Sequence, residues 1–250
     1  MSNLKNKTII ITGGSLGIGF AIAKKCVQDG ARVIIASRNK TDLENALTEL
    51  NSIGKEKNLS YSLDIGDLNA VRNFAKWCND EKLEISGLVE KLEISGLVNN
   101  AGIYGPMGKT TLVDMDEFTN AIQINFLGTV YMCNVFAPLL KSTGRKKIVN
   151  YSGGGAATPF ANYSAYATSK IAIVRFTENL AIELADENFD INCVAPGFVV
   201  TRLHNQTLNQ NPDSVGKNFF ENTKKQVDSG GVPPEKAADL TAFLLSDESC

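Results

Sequence analysis

The 250-residue sequence predicts one α/β domain, a parallel sheet doubly wound with helices on both faces. Short β-branched runs alternate with amphipathic stretches, the pattern of β-α-β units whose strands are buried on both sides. No shift in composition marks a second domain, and the length suits a single large one, residues 1–250. Apolar residues make up 43% and charged residues 21%, which supplies a core and argues against disorder.

At least six strands are expected, near Thr8 to Thr12, Arg32 to Ser37, Leu59 to Leu63, Gly96 to Asn99, Lys147 to Tyr151 and Asp190 to Ala195. After the first, Ile18 to Asp29 carries Ile18, Ala21, Ile22 and Val27 at helical spacing. It stops at Gly30, a residue suited to the left-handed position past a helix end. Longer helices are expected from about Phe118 to Lys141 and from Tyr163 to Ala185. A last one should run from Pro234 to Leu245, with proline in its first turn.

Several classes are disfavoured by composition. Twenty-five Lys and Arg against 27 Asp and Glu leave a net charge of −2, so nothing points to nucleic acid or an anionic membrane. Cys26, Cys78, Cys133, Cys193 and Cys250 form no C-x-x-C pair and His204 is the only histidine, so no metal site is expected. No run approaches the roughly 18 apolar residues of a membrane span, and Thr8 to Thr12 is too short for a signal-peptide core. A cytoplasmic address is expected.

One segment is duplicated: Glu81 to Val89 recurs unchanged as Glu90 to Val98. Two copies make no solenoid. Only the second runs into Asn99-Asn100-Ala101-Gly102, so it should supply the strand while the first loops out, at the sheet end opposite the ligand side.

The loop Thr12-Gly13-Gly14-Ser15-Leu16-Gly17-Ile18-Gly19 lies between a strand and a helix. Glycines there permit a tight turn and close approach to a pyrophosphate, and the helix N-terminus offers free N–H groups and a positive dipole end. The expectation is a Rossmann-like dinucleotide site. Gly13-x-Ser15-x-Gly17 also fits a hydrolase nucleophile elbow, but no strand precedes it to carry an oxyanion loop, and His204 would be the only base. Gly108-Lys109-Thr110 lacks the glycine spacing of a phosphate loop.

At the end of the second strand, Ser37-Arg38-Asn39 holds no acidic side chain for a ribose 2′-hydroxyl, whereas Arg38 can pair with a 2′-phosphate. NADP is favoured over NAD; the alternative for Arg38 is a solvated arginine at a helix start. Asp64, followed by Ile65, is placed to accept from an adenine amino group or to cap the next helix.

Tyr166-x-x-x-Lys170 places a phenol and an ammonium on one helix face. A free phenol ionises near pH 10, and a cation beside it is a direct way to lower that value. With six tyrosines in the chain, the pair alone is weak evidence.

Together, the glycine loop, Asn99 to Gly102, Asn125 in Ile124-Asn125-Phe126, Ser152, the Tyr166/Lys170 pair and Pro196-Gly197 with Thr201 resemble the short-chain dehydrogenase/reductase family over nearly the whole chain. The resemblance implies an enzyme transferring hydride between a nicotinamide cofactor and a carbonyl or secondary alcohol. It implies Tyr166 as general acid/base, Ser152 as hydrogen-bond partner of the substrate oxygen, Lys170 on the phenol and the nicotinamide ribose, and Asn125 supporting a water chain. It places the cofactor along Gly13, Ser15, Leu16, Gly17, Ile18, Gly19, Ser37, Arg38, Asp64, Ile65, Asn100, Ala101, Gly102, Tyr166, Lys170, Pro196, Gly197, Val199 and Thr201. A homo-oligomer, dimer or tetramer, built through the two long helices, is also implied. Ser152 and Asn125 keep plainer alternatives, a strand-end turn residue and a helix N-cap.

Three departures stand beside the resemblance. The family's serine lies thirteen residues before the tyrosine, where this chain has Gly153; Ser152 lies fourteen before, next to Gly153-Gly154-Gly155. The nonapeptide is duplicated. The chain stops at Cys250, where family members continue into a last strand, so that strand is expected to be missing. These departures keep open a second reading, a catalytically weak nucleotide-binding sensor or scaffold of the same fold. Residues of about 200–221, with Leu203, Leu208, Phe219 and Phe220, resemble the family's substrate lid, and His204 within them is expected on an exposed loop.

Overall fold

The computed structural model describes residues 3–85 and 88–249. In chain order the main sheet is built from β1 (Thr8–Thr12), β2 (Arg32–Ser37), β3 (Leu59–Ser62), β6 (Gly96–Asn99), β7 (Lys146–Tyr151) and β8 (Phe189–Val194). β4 (Lys82–Ile85) and β5 (Leu88–Lys91) form a separate antiparallel pair. The six strands lie in the order β3-β2-β1-β6-β7-β8, and every pairing is parallel. All six expected strands are found. The order reverses between β1 and β6, which opens a crevice at their C-terminal ends.

The helices are α1 (Gly17–Gln28), α2 (Lys40–Ile53), α3 (Leu68–Asp80), α4 (Met115–Ile122), α5 (Gly128–Phe136), α6 (Ser164–Glu183), α7 (Arg202–Leu208), α8 (Pro212–Val215), α9 (Lys217–Asp228) and α10 (Pro234–Leu245). The strands are apolar on both sides because both sides are covered. Ile10, Ile34, Leu97 and Ile148 meet Phe74 of α3 with Met132 and Phe136 of α5. Ile9, Ile11, Val33, Ile35 and Val149 meet Ile22 of α1, Leu43 of α2 and Ala242 of α10. Each such side chain contributes roughly 1.5–3 kcal/mol on burial.

The stretch expected as one helix from Phe118 onward is continuous from Met115 to Leu139, but α4 and α5 are joined by a π-helical turn, Gln123–Leu127, that admits one extra residue per turn. Within its 25 residues an 18-residue window reaches a mean hydropathy of 1.2, a length and composition that a core helix shares with a membrane span. That apolarity serves the core here, where Ala121, Ile124, Met132 and Phe136 are buried. α2 and α3, unassigned from sequence, start at polar caps: Asn39 Oδ1 accepts from the Asp42 N–H and Asp67 Oδ1 from the N–H groups of Asn69 and Ala70.

Within the duplication, the second copy supplies β6 and the first lies outside the main sheet. The antiparallel pair straddles both copies, since Leu88 and Val89 belong to the first and Glu90 and Lys91 to the second. The Ser86-Gly87 connection lies outside the described residues, as does Cys250. Cys26, Cys78, Cys133 and Cys193 are free thiols.

Candidate active site

The crevice between β1 and β6 continues into a cleft of about 570 Å³. Its floor is the glycine loop. Gly13 has φ +65°, and a Cβ there would press on Asn100 Nδ2 at 2.9 Å and Ala101 Cα at 3.0 Å. A Cβ on Gly19 would collide with the Gly13 carbonyl oxygen and Asn100 Nδ2, so a side chain at either position would break the contact between the two loops. Asn100 holds them together: Nδ2 donates to the Thr12 carbonyl (3.2 Å), and Thr12 Oγ1 accepts from the N–H groups of Asn100 (3.1 Å) and Ala101 (3.2 Å).

α1 opens at Gly17 behind Leu16, which offers no capping side chain. The first-turn N–H groups thus meet no side-chain cap, and Gly13, Leu16, Gly17 and Ile18 line the cleft. Backbone approachable only through glycine, at a helix N-terminus, fits a pyrophosphate. Ser15 Oγ lies 3.0 Å from Ser37 Oγ, linking the loop to the end of β2. Arg38 is exposed and makes no ion pair among the described residues; nearby, Asp42 pairs with Arg202 at 3.0 Å. Asp64 is exposed and accepts from the Gly66 N–H at 2.9 Å; it does not cap α3, a task that falls to Asp67. Ile65 is buried.

Beyond Pro196, Gly197 turns the chain with φ +75°, Val199 is buried, and Thr201 lies 3.5 Å from where a Gly17 Cβ would stand. The segment after β8 therefore closes over the glycine loop. Residues of about 200–221 fall on α7, α8 and the start of α9, and Leu203, His204 and Phe219 face the cleft. His204 is not on an exposed loop. It sits on α7, half-buried, with Nδ1 accepting from the Thr201 N–H (3.2 Å) and its ring 4.0 Å from that of Phe198. Burial lowers its pKa.

α6 carries Tyr166 and Lys170 into the opposite wall. Lys170 Nζ donates to the Tyr151 carbonyl (2.9 Å) and lies 5.6 Å from the Tyr166 ring centroid. Burial pushes the ammonium down to about 8 and the Tyr166 phenol up to about 12. The lowering of the phenol expected from a neighbouring cation is not what is found: desolvation of the buried phenolate moves the group upward.

Asn125 lies within the π-helical turn rather than at a helix N-cap. Fully buried, its Oδ1 accepts from the Ile103 N–H (2.8 Å) while Nδ2 donates to the Ile103 carbonyl (2.8 Å) and Ser169 Oγ (3.0 Å). It thus joins the loop after β6 to α6, one residue from Lys170. Ser152 lines the cleft, but its hydroxyl faces the Val194 carbonyl at 3.5 Å. The residue beneath the phenol is Gly153, whose α-carbon lies so near the Tyr166 oxygen that a Cβ would overlap it.

The remaining wall is aromatic. Tyr104 packs edge-on against Tyr166 (4.9 Å) and Tyr163 (5.1 Å), Phe160 stacks on Tyr163 (4.4 Å), and Phe219 closes on Phe160 (4.8 Å). Tyr104, Phe160 and Phe198 escaped the sequence reading. For Tyr104 a signal existed, its place two residues beyond the Asn99-Asn100-Ala101-Gly102 motif.

Residues 7–212 match the family described as short chain dehydrogenase. The chain belongs to the short-chain dehydrogenase/reductase family. It is an oxidoreductase by that membership. An uncharacterized oxidoreductase, YxbG, of Bacillus subtilis (strain 168) is 30% identical over 250 residues, covering 100% of this chain and 88% of that protein. Dehydrogenase/reductase SDR family member 4 of Bos taurus is 29% identical, covering 98% of this chain and 83% of that protein. Among solved structures, levodione reductase superposes with a TM-score of 0.85 at 25% identity, covering 98% and 92% of the two chains. The fold of this chain is thus shared with levodione reductase over nearly its whole length.

Proposed function

We propose that this chain is an NADP-preferring reductase or dehydrogenase of an apolar ketone and its secondary alcohol. One observation carries the reading: the Tyr166 phenol and the uncapped start of α1 open into the same cleft. A nicotinamide dinucleotide, when bound, supplies or accepts the hydride. Its pyrophosphate would be held by the loop from Gly13 to Gly19, and a 2′-phosphate by Arg38 with Ser37. Asn100, Ala101, Gly102, Pro196, Gly197, Val199 and Thr201 would flank it, with Asp64 and Ile65 at the adenine end.

Tyr166 is the proton donor and acceptor. A carbonyl carbon that gains hydride passes an electron pair to its oxygen, and a phenol held neutral by burial, at about 12, is suited to giving that oxygen its proton. Lys170, tied to the Tyr151 carbonyl, would hold the nicotinamide ribose of a bound cofactor, and Asn125 holds the strand-end loop against α6. Ser152 is the hydroxyl that the family resemblance assigns to the substrate oxygen. The aromatic wall favours an uncharged, ring-bearing or branched substrate, and α7 to α9 form the lid that excludes water from it. Free thiols suit a cytoplasmic address, and exposed Ile171 and Ile182 on α6 suit a homo-oligomer.

The second reading, a nucleotide-binding protein without turnover, draws on Gly153 in the place of the family's serine. Fluorescence titration of NADPH and NADH, followed by turnover on a panel of cyclic and aromatic ketones, separates them. NADPH binding with turnover supports the enzyme; binding without turnover on any ketone supports the sensor.

A further inference from the structure

We propose that the Tyr104 hydroxyl is a second hydrogen-bond donor to the substrate oxygen, beside the Tyr166 phenol, in the role that a serine hydroxyl would otherwise take. The proposal rests on the reductase reading above. Four tyrosines are buried around the cleft: Tyr104, Tyr151, Tyr163 and Tyr166. Buried tyrosines normally satisfy their hydroxyl groups. Two of these do so on threonines, Tyr151 with Thr241 Oγ1 (2.6 Å) and Tyr163 with Thr207 Oγ1 (2.8 Å). Tyr104 and Tyr166 have no hydrogen-bond partner among the described residues, and both line the cleft. Two phenols without protein partners thus share one cavity, their rings edge to face at 83° with centroids 4.9 Å apart.

The position beside the phenol that could carry a hydroxyl is Gly153, where no side chain fits while Tyr166 stays in place. The neighbouring Ser152 hydroxyl is turned to the Val194 carbonyl. Tyr104 is only 4% exposed and packs edge-on against Tyr163 and Tyr166, so its ring is held by packing before any substrate arrives. Burial and the Tyr166 phenol raise its ionisation well above the ordinary phenol range, so it stays a neutral donor at any working pH. In the reduction, the carbonyl carbon gains hydride and the carbonyl π-electron pair moves to oxygen. The Tyr166 proton bonds to that oxygen, while Tyr104 donates a hydrogen bond and keeps its proton. Donors preset toward developing negative charge stabilise it without reorganising.

The test is Tyr104→Phe, which removes one oxygen that has no hydrogen-bond partner among the described residues and keeps the ring contacts. With a ketone that the wild type reduces, kcat is expected to fall about 100-fold, with KM changed by less than about threefold and NADPH affinity by fluorescence unchanged. A second readout needs no turnover. The carbonyl stretch of acetophenone bound to the NADP+ complex is expected at lower frequency than in water, and to move back toward the free value in Tyr104→Phe. A wild-type enzyme that turns over while Tyr104→Phe keeps its kcat and the same stretch would overturn the role of Tyr104 alone. Ser152→Ala lowering kcat about 100-fold, with Tyr104→Phe nearly silent, would return the role to serine. No shifted stretch and no turnover in the wild type would overturn the reductase reading, and this role with it.

Discussion

The Tyr166 oxygen stands over the α-carbon of Gly153, in the space that a Cβ would need. The glycine lets the phenol descend to the end of β7, so the absence of a side chain at 153 sets the depth of the phenol in the cleft. Gly153→Ala is expected to displace the phenol. An overpacked methyl costs about 1–3 kcal/mol, and a misplacement near 1 Å costs about 100-fold in kcat. Thermal unfolding together with ketone reduction checks this; an alanine variant with wild-type kcat would show that the phenol does not depend on that space.

Removing the phenolic oxygen of Tyr166 takes away the proton and leaves the glycine loop intact. Tyr166→Phe is expected to abolish NADPH-dependent reduction across a ketone panel, with a loss of at least about 1000-fold, as expected when an essential proton donor is lost. NADPH binding should stay within a factor of about two. Turnover at the wild-type rate would remove Tyr166 from the chemistry.

Arg38 is exposed at the end of β2, with no ion pair among the described residues and no acidic neighbour at 37 or 39. A charge-assisted pair with a 2′-phosphate is worth about 1.5–3 kcal/mol. Arg38→Ala is therefore expected to weaken NADPH by about 10- to 100-fold and to leave NADH nearly unchanged. Equal losses in parallel titrations would make the arginine a bystander.

Lys170 ionises near 8 in the folded chain, against 10.5 for an unburied lysine, because burial penalises its charge. Between those values the unfolded chain holds more protons than the folded one, so this group makes stability rise with pH across the window. Lys170→Met removes the penalty. The variant is expected to be inactive yet more stable than wild type, by about 2–4 °C for each kcal/mol relieved. The gap should be widest below pH 8 and narrow toward pH 10.5. Comparing the two proteins cancels the opposing slope from Cys26, Cys78 and Cys133, whose burial raises each thiol to about 12. A gap independent of pH would show that Lys170 is not the group titrating.

The central strands were legible because strands covered on both faces are apolar at every position, as Ile9, Ile10 and Ile11 are. The glycine loop was legible because close backbone approach admits no other residue at Gly13 or Gly19. Tyr166 and Lys170 were legible because helical spacing is local, and α10 because proline and its apolar rhythm mark it from Pro234. The π-helical turn at Asn125 was not, since one extra residue in a helix leaves no mark in local pattern.

Sequence alone thus determined the family, the parallel sheet and the placing of Tyr166 and Lys170 one helical turn apart, all of which depend on neighbours in the chain or on residue type. Tertiary structure decided the rest. It turned Ser152 toward Val194, set Gly153 under Tyr166, brought Tyr104 edge-on to the same ring and drew His204 off the surface onto the cleft wall. It also reversed the expected direction of the phenol's ionisation. Burial and side-chain direction arise from contacts between segments far apart in the chain, and desolvation, which no spacing rule contains, is what raises the phenol.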